Sequence, residues 1–253
     1  MHRSPRSQIH RHQSLIKKDN YEYKKFVGAL HYNARAVDIT ILVALSAIAS
    51  QQNAPTEQTE AAIEQLLDYV ATNPVASVRF HASDMILQIH SDASYLTEPK
   101  ARSRVAGHFF LGKNTKPLQP IFLNGNIHTL CGILKHVVSS ASEAELAALF
   151  MNAREGKIMR LTLIEMKHPQ PATPIHTDST TADGIVNGTV KRQRSRAMNM
   201  RYYWIVDQSD QGYFKVMWAP GLENLGDYPT KHHDEKHHKQ VKLFYSHEEK
   251  IPR

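Results

Sequence analysis

A single cysteine, Cys131, stands in the 253 residues. That excludes an internal disulfide and suits a reducing compartment. Its neighbours Leu130, Ile133 and Leu134 are apolar, so packing is its expected role and not nucleophilic chemistry. Long hydrophobic runs are also missing. The longest, Ile39 to Ala49, is too short to span a bilayer, and the N-terminus lacks the apolar core of a signal peptide. No membrane partner is expected, and the expected localisation is intracellular, cytoplasmic or nuclear. Acid is the scarcer charge: 24 Asp and Glu stand against 31 Lys and Arg, for a net charge of +7 and a pI near 9.4. An excess of that sign favours an anionic partner, nucleic acid above all. Protein partners are not indicated.

The order of patterns gives the organisation. Residues 1–20 are rich in Arg, His, Ser and Gln and read as a disordered basic leader. Residues 21–82 read as a helical segment. Within it Ala36 to Ala49 is apolar, and Thr56 is the expected N-cap of a helix running to about Thr72. Residues 83–231 change texture. Met85 to Asp92 alternates as a half-buried strand, and Gly107 to Gly112 and Ile127 to Leu134 supply two more strands. A long helix is expected from Ser142 to about Met166, then a strand Pro174–Asp178 that enters a helix near Thr180. A helix at Arg196–Val206, a strand Tyr213–Trp218 and a short helix around Glu223–Tyr228 follow. Strands first, then alternating helix and strand, is an α/β order with a mixed sheet. Residues 232–253 read as a polar, His-rich tail.

Four acids stand where such a sheet converges. Asp92 ends the first strand, Glu145 begins the long helix, Asp178 ends the fourth strand, and Asp227 follows the Trp218-Ala219-Pro220-Gly221 turn. Any one alone reads as a turn former or helix cap; the joint set carries the reading. Phosphodiester hydrolysis needs an activated water, a stabilised leaving oxygen and neutralised phosphoryl charge. Two hard cations held by carboxylates supply all three. Glu143 competes with Glu145, and two capping boxes are open, one with Ser140 as N-cap and one with Ser142.

The segments His90-Ser91-Asp92-Ala93-Ser94-Tyr95, Ser139-Ser140-Ala141-Ser142-Glu143-Ala144-Glu145-Leu146, His176-Thr177-Asp178-Ser179 and Asn224-Leu225-Gly226-Asp227-Tyr228-Pro229-Thr230-Lys231 resemble the ribonuclease H domain of copia-type retrotransposon polyproteins. The upstream stretch from Val27-Gly28-Ala29-Leu30-His31-Tyr32 through Tyr69 resembles the helical segment after the polymerase palm in the reverse transcriptases of those polyproteins. The resemblance covers roughly residues 21–231.

It implies a ribonuclease H-like mixed five-stranded sheet flanked by helices, with an N-terminal helical appendage. It further implies that Asp92, Glu145, Asp178 and Asp227 are catalytic ligands of Mg²⁺ (or Mn²⁺), and that an RNA–DNA hybrid is the substrate. The acid directly before the bulky apolar residue, Glu145 before Leu146, is the implied ligand. Two departures stand out. The loop Pro220-Gly221-Leu222-Glu223 lacks the histidine that many relatives carry, and no Tyr-x-Asp-Asp polymerase motif occurs. The alternative reading is a decayed or recruited module of the same fold that binds nucleic acid without cutting it.

Lys191, Arg192, Arg194, Arg196 and Arg201 crowd one stretch and are candidates for phosphate contacts. The adjacent Tyr202, Tyr203 and Trp204 are expected to pack in the core. His232, His233, His237 and His238 invite a zinc reading, but with no cysteine beside them and charged neighbours they read as a polar tail.

Overall fold

A computed structural model describes residues 5–114, 121, 123–190 and 199–246, with side chains described for all of these except 5–20 and 199. Four of the five basic candidates, Lys191, Arg192, Arg194 and Arg196, lie outside the described residues.

Helix α1 (Pro5–Ala36) precedes a 3-10 turn (Ile39–Ile41), α2 (Leu42–Gln51) and α3 (Glu57–Thr72). The helical backbone therefore begins well before residue 20, where composition alone suggested a disordered leader. Pro at the first helical position is tolerated, and no glycine or second proline interrupts the stretch to Ala36 except Gly28. Thr56 caps α3 as expected. Its side chain accepts from Thr59 N, and Thr59 Oγ1 accepts from Thr56 N at 3.0 Å, closing a reciprocal box.

Strands β1 (Ile86–Glu98), β2 (Arg102–Gly112) and β3 (Asn126–Ile133) form an antiparallel meander. Helix α4 (Ala141–Glu165), strand β4 (Thr173–Thr177), helices α5 (Thr180–Val186) and α6 (Asn199–Asp210), and strand β5 (Phe214–Trp218) follow. The sheet order is β3-β2-β1-β4-β5, with β4 parallel to both β1 and β5. This is the mixed five-stranded sheet expected from the order of patterns. Alternation along β1 sends Leu87 and Ile89 into one core with Ala147, Leu149 and Ala153 of α4. Gly156 of α4 permits the close approach, since a Cβ there would meet Ile89 Cδ1 at 2.5 Å.

The region after β5 differs from expectation. Two 3-10 turns, Gly221–Glu223 and Tyr228–Thr230, replace the expected short helix. Gly226 and Pro229 break any continuous helix there. Helix α7 (Glu235–Tyr245) then packs back on the body, burying Tyr245, so the stretch read as a polar tail holds a docked helix.

Nor does packing stop at residue 82. Buried Arg104 of β2 donates to Ser46 Oγ of α2 at 2.8 Å and pairs with Glu98 at 2.7 Å. Ile39 shares a buried cluster with Leu225, Tyr228 and Tyr245. The helical segment thus forms part of the support under the loop that carries Asp227.

Candidate functional site: a carboxylate cluster at the sheet centre

Parallel pairing of Ile89 with Ile175 and His90 with His176 sets the middle of β1 beside the end of β4. Strand β1 runs on to Glu98, so Asp92 sits within the strand opposite Ala106 and does not end it as expected. Asp92 lies two residues beyond that pairing, and Asp178 is the residue after β4. Glu145 comes to them from the first turns of α4. Ser140 is the N-cap of that helix, and its hydroxyl accepts from Glu143 N at 3.2 Å. The Glu143 carboxylate turns back to accept from Ser139 N at 2.7 Å and Ser139 Oγ at 2.8 Å. Its partner is thus the residue before the cap and not the cap itself. Glu145 is left to reach the sheet, where its Oε1 accepts from Ala93 N at 3.3 Å.

Carboxylate oxygens of Asp92, Glu145 and Asp178 lie within 4.8 Å of one another. Asp92 and Glu145 are buried, and Glu145 Oε2 has no hydrogen-bond partner. Burial pushes Glu145 up to about 9, reinforced by the charges of Asp92 and Asp178 and opposed by the Ala93 N–H. Burial likewise raises Asp92 to about 7, with Asp227 and Asp178 adding to the rise and Thr230 and Lys231 opposing it. Asp178 is raised by burial and by Asp227. Short of positive charge, the set holds on to its protons.

Asp227 stands at the edge of this triad. It acts electrostatically on all three acids, and its Oδ1 takes Lys231 Nζ at 2.6 Å. The loop that carries it is stitched to β1. Asn224 Nδ2 donates to Ser91 O at 3.0 Å, and Leu225 N donates to His90 Nδ1 at 2.9 Å. Gly226 passes so close that a Cβ would lie 3.1 Å from Asp92 N. Thr230 Oγ1 donates to Asp92 Oδ2 at 2.9 Å.

Sequence reasoning singled out the four acids but assigned no site role to Asn224, Thr230 or Lys231. Thr230 and Lys231 were within reach of it, since both belong to the ending Leu225-Gly226-Asp227-Tyr228-Pro229-Thr230-Lys231. Asn224 heads the same quoted segment, but its role depends on a strand 133 residues away, which local pattern does not show.

Of the basic candidates, Arg201 is described. It lies on α6, half-buried, with Nη1 2.8 Å from His136 Nε2 and its guanidinium over the Phe150 ring. Trp204 packs edge-on against Phe150 and Tyr202 against the main core, as expected for the aromatics, whereas Tyr203 is exposed. Cys131 packs against the helical cluster, also as expected. Among the described residues, no helix is long and apolar enough to cross a membrane.

No family model matches the chain. Over 209 residues, 83% of its length, it is 24% identical to the retrovirus-related Pol polyprotein from transposon TNT 1-94 of Nicotiana tabacum, and it spans 15% of that relative. Solved structures with similar backbones include a ribonuclease H1 isolated from compost, with a TM-score of 0.43 and 12% identity over 58% of this chain and 93% of that one. The N-terminal ribonuclease H domain of rv2228c from Mycobacterium tuberculosis gives 0.40 and 10% over 63% and 96%. The PFV ribonuclease H domain gives 0.36 and 12% over 64% and 97%. The chain is thus similar to a retrotransposon Pol polyprotein, as its ordered motifs led one to expect, and it has the expected mixed five-stranded sheet flanked by helices.

Proposed function

We propose that the chain is a metal-dependent, retroelement-derived endonuclease that hydrolyses the RNA strand of RNA–DNA hybrids. One observation carries the reading: the buried Glu145 carboxylate, one oxygen without a partner, grouped with Asp92 and Asp178. An uncompensated cluster of buried acids is costly, and a bound cation removes the cost. Oxygen-only donors fit a hard ion, Mg²⁺ or Mn²⁺. Asp92, Glu145, Asp178 and Asp227 would hold it.

When bound, hard cations supply an activated water, a stabilised leaving oxygen and neutralised phosphoryl charge. The remaining work falls to the chain. The Ala93 N–H and the Thr230 hydroxyl fix the orientation of Glu145 and Asp92. Gly221 leaves room beside Asp178, where a Cβ would come within 2.9 Å of Oδ2. Lys231 steadies Asp227. The positive net charge favours the polyanionic substrate, and Lys191, Arg192, Arg194, Arg196 and Arg201 are proposed to meet its phosphates.

The deciding experiment is cleavage of a labelled hybrid beside duplex RNA and duplex DNA. Cutting confined to the hybrid's RNA strand, dependent on Mg²⁺ or Mn²⁺ and abolished by EDTA or by Glu145→Gln, is expected. Cleavage undiminished in excess EDTA would sink the mechanism. Binding of the hybrid without cutting, by a folded chain with Mg²⁺ present, would return the reading to a recruited or decayed module.

A further inference from the structure

Asp227 belongs to a second group of potential ligands. One of its carboxylate oxygens and one ring nitrogen each of His233 and His237 lie within 4.8 Å of one another. The approach of the two imidazoles is a product of the fold. Asp234 caps α7 and accepts from His237 N at 2.7 Å, which places His237 in the first turn. His233, just before the cap, lies between two rings. It stacks on Tyr228 at 4.7 Å and 9° and on His237 at 4.5 Å and 22°.

His233 Nε2 is 3.2 Å from the Tyr228 carbonyl oxygen. A carbonyl only accepts, so Nε2 carries the hydrogen and Nδ1 keeps its lone pair. A ring nitrogen tied to a carbonyl is the usual outer support of a metal-ligating histidine. Lys231 occupies Oδ1 of Asp227, and the other oxygen forms no hydrogen bond among the described residues. All three groups are partly exposed, and Asp227 and His237 border a cavity of about 270 Å³ beside Gly221 and Leu222, so an ion has a way in.

We propose that His233, His237 and Asp227 form a second metal site, for a borderline transition-metal ion such as Zn²⁺ or Co²⁺. Two imidazoles and one carboxylate suit such ions, whereas Mg²⁺ favours oxygen alone. Three protein ligands leave further positions for water or an anionic group. The missing cysteine, which made a zinc reading unattractive from sequence, is answered by Asp227, brought in from before the 3-10 turn. The site shares that residue with the carboxylate cluster but does not depend on the nuclease reading.

The test is Co²⁺ and Zn²⁺ binding to the full chain after chelator treatment, followed by the visible Co²⁺ spectrum. With excess Mg²⁺ present to fill the carboxylate cluster, one saturable equivalent of Co²⁺ is expected to remain bound and to be displaced by Zn²⁺. His233→Ala and His237→Ala should each raise the dissociation constant about tenfold or more, and the milder His233→Gln guards against misfolding, checked by circular dichroism. His232→Ala should leave binding unchanged. With 16 histidines in the chain, adventitious binding would survive in the double alanine variant. An unchanged one-equivalent spectrum in that variant, or no saturable Co²⁺ site in the unaltered chain, would overturn the proposal. Failure of hybrid cleavage alone would leave it standing.

Discussion

Thr230 and Asp92, 138 residues apart, meet through one hydroxyl: Thr230 Oγ1 lies 2.9 Å from Asp92 Oδ2 and 2.6 Å from the Asp227 carbonyl oxygen. Its proton is shared between the Asp92 carboxylate and the Asp227 backbone carbonyl. The contact ties the first strand to the last turn and sets the rotamer of a buried acid. Supports of this kind are worth 10–100-fold in metal affinity where they have been removed. Thr230→Val is therefore expected to raise the Mg²⁺ concentration for half-maximal cleavage about tenfold or more, with Thr230→Ser restoring it. Mg²⁺ titration of hybrid cleavage measures this. An unchanged midpoint in the valine variant would make the hydroxyl a packing feature only.

The buried acids give a pH dependence whose sign follows from their direction of shift. Glu145 is raised to about 9 and Asp92 to about 7, above the values near 4 of free carboxyls. The folded chain therefore holds these protons more tightly than the unfolded one. Their stabilising contribution is full below about pH 4 and is lost as pH rises, to about 7 for Asp92 and about 9 for Glu145. Glu145→Gln, which cannot ionise, should thus gain about 1–3 kcal/mol on the unaltered chain between pH 5 and pH 8 without divalent metal. Mg²⁺ at pH 8 should close or reverse that gap. Thermal melts at both pH values, with and without Mg²⁺, read it directly. A gap independent of pH would mean that Glu145 is not held in the uncharged form.

The two glutamates at the start of α4 separate by role. Glu143 holds Ser139 at the helix start, whereas Glu145 meets Ala93 and the acids. Glu143→Gln should cost about 1 kcal/mol or less, as capping contacts do, and leave hybrid cleavage near its original rate. Glu145→Gln should abolish cleavage with the fold intact. The reverse pattern in paired cleavage assays and melts would transfer the ligand role to Glu143.

The acids were legible because each belongs to a local pattern: the Leu87–Ile89 alternation before Asp92, the serine cap before Glu145, the short strand before Asp178. Phase along α4 left Glu143 and Glu145 equivalent, and the choice of Ser140 over Ser142 as cap is what separated them. The last segment was harder to read. Gly226 is there for a close pass over β1, a tertiary reason with no local signal. Helix α7 did leave a trace in the sequence: His238, Val241, Lys242 and Tyr245 share a face at spacings of three and four. Its charged composition masked them, and the lysine stem is buried along with the tyrosine ring.

For the basic segment, the expectation is a salt-dependent loss. If Arg192, Arg194 and Arg196 neutralise phosphates, replacing all three with Ala should weaken hybrid binding and flatten the slope of log affinity against log salt, by up to about one unit for each phosphate left without its arginine. An unchanged slope would return the segment to a solvated loop. Among the described residues, the Arg201 guanidinium meets His136 and Phe150. Arg201→Ala should cost stability as well as binding.

The last prediction concerns the helical segment as a part of the site. Residues 21–82 read as an appendage, and an appendage can be removed without harm to the domain it adjoins. The contacts argue otherwise. Arg104 is fully buried, and beside its ion pair with Glu98 it donates to Ser46 of α2. Ile39 packs with Leu225, Tyr228 and Tyr245 under the turn that presents Asp227, and Tyr69 of α3 bonds His238 at 3.0 Å. Deleting everything before Pro74 would expose that apolar cluster and leave a buried guanidinium short of a partner, a loss of several kcal/mol against a total stability of about 5–15. The shortened chain is expected to aggregate, or to melt well below the full chain and bind Mg²⁺ poorly. Gel filtration, thermal melts and metal titration of the two chains make the comparison. A monomeric short chain with the melting temperature and Mg²⁺ response of the full one would show that the helices are an appendage after all.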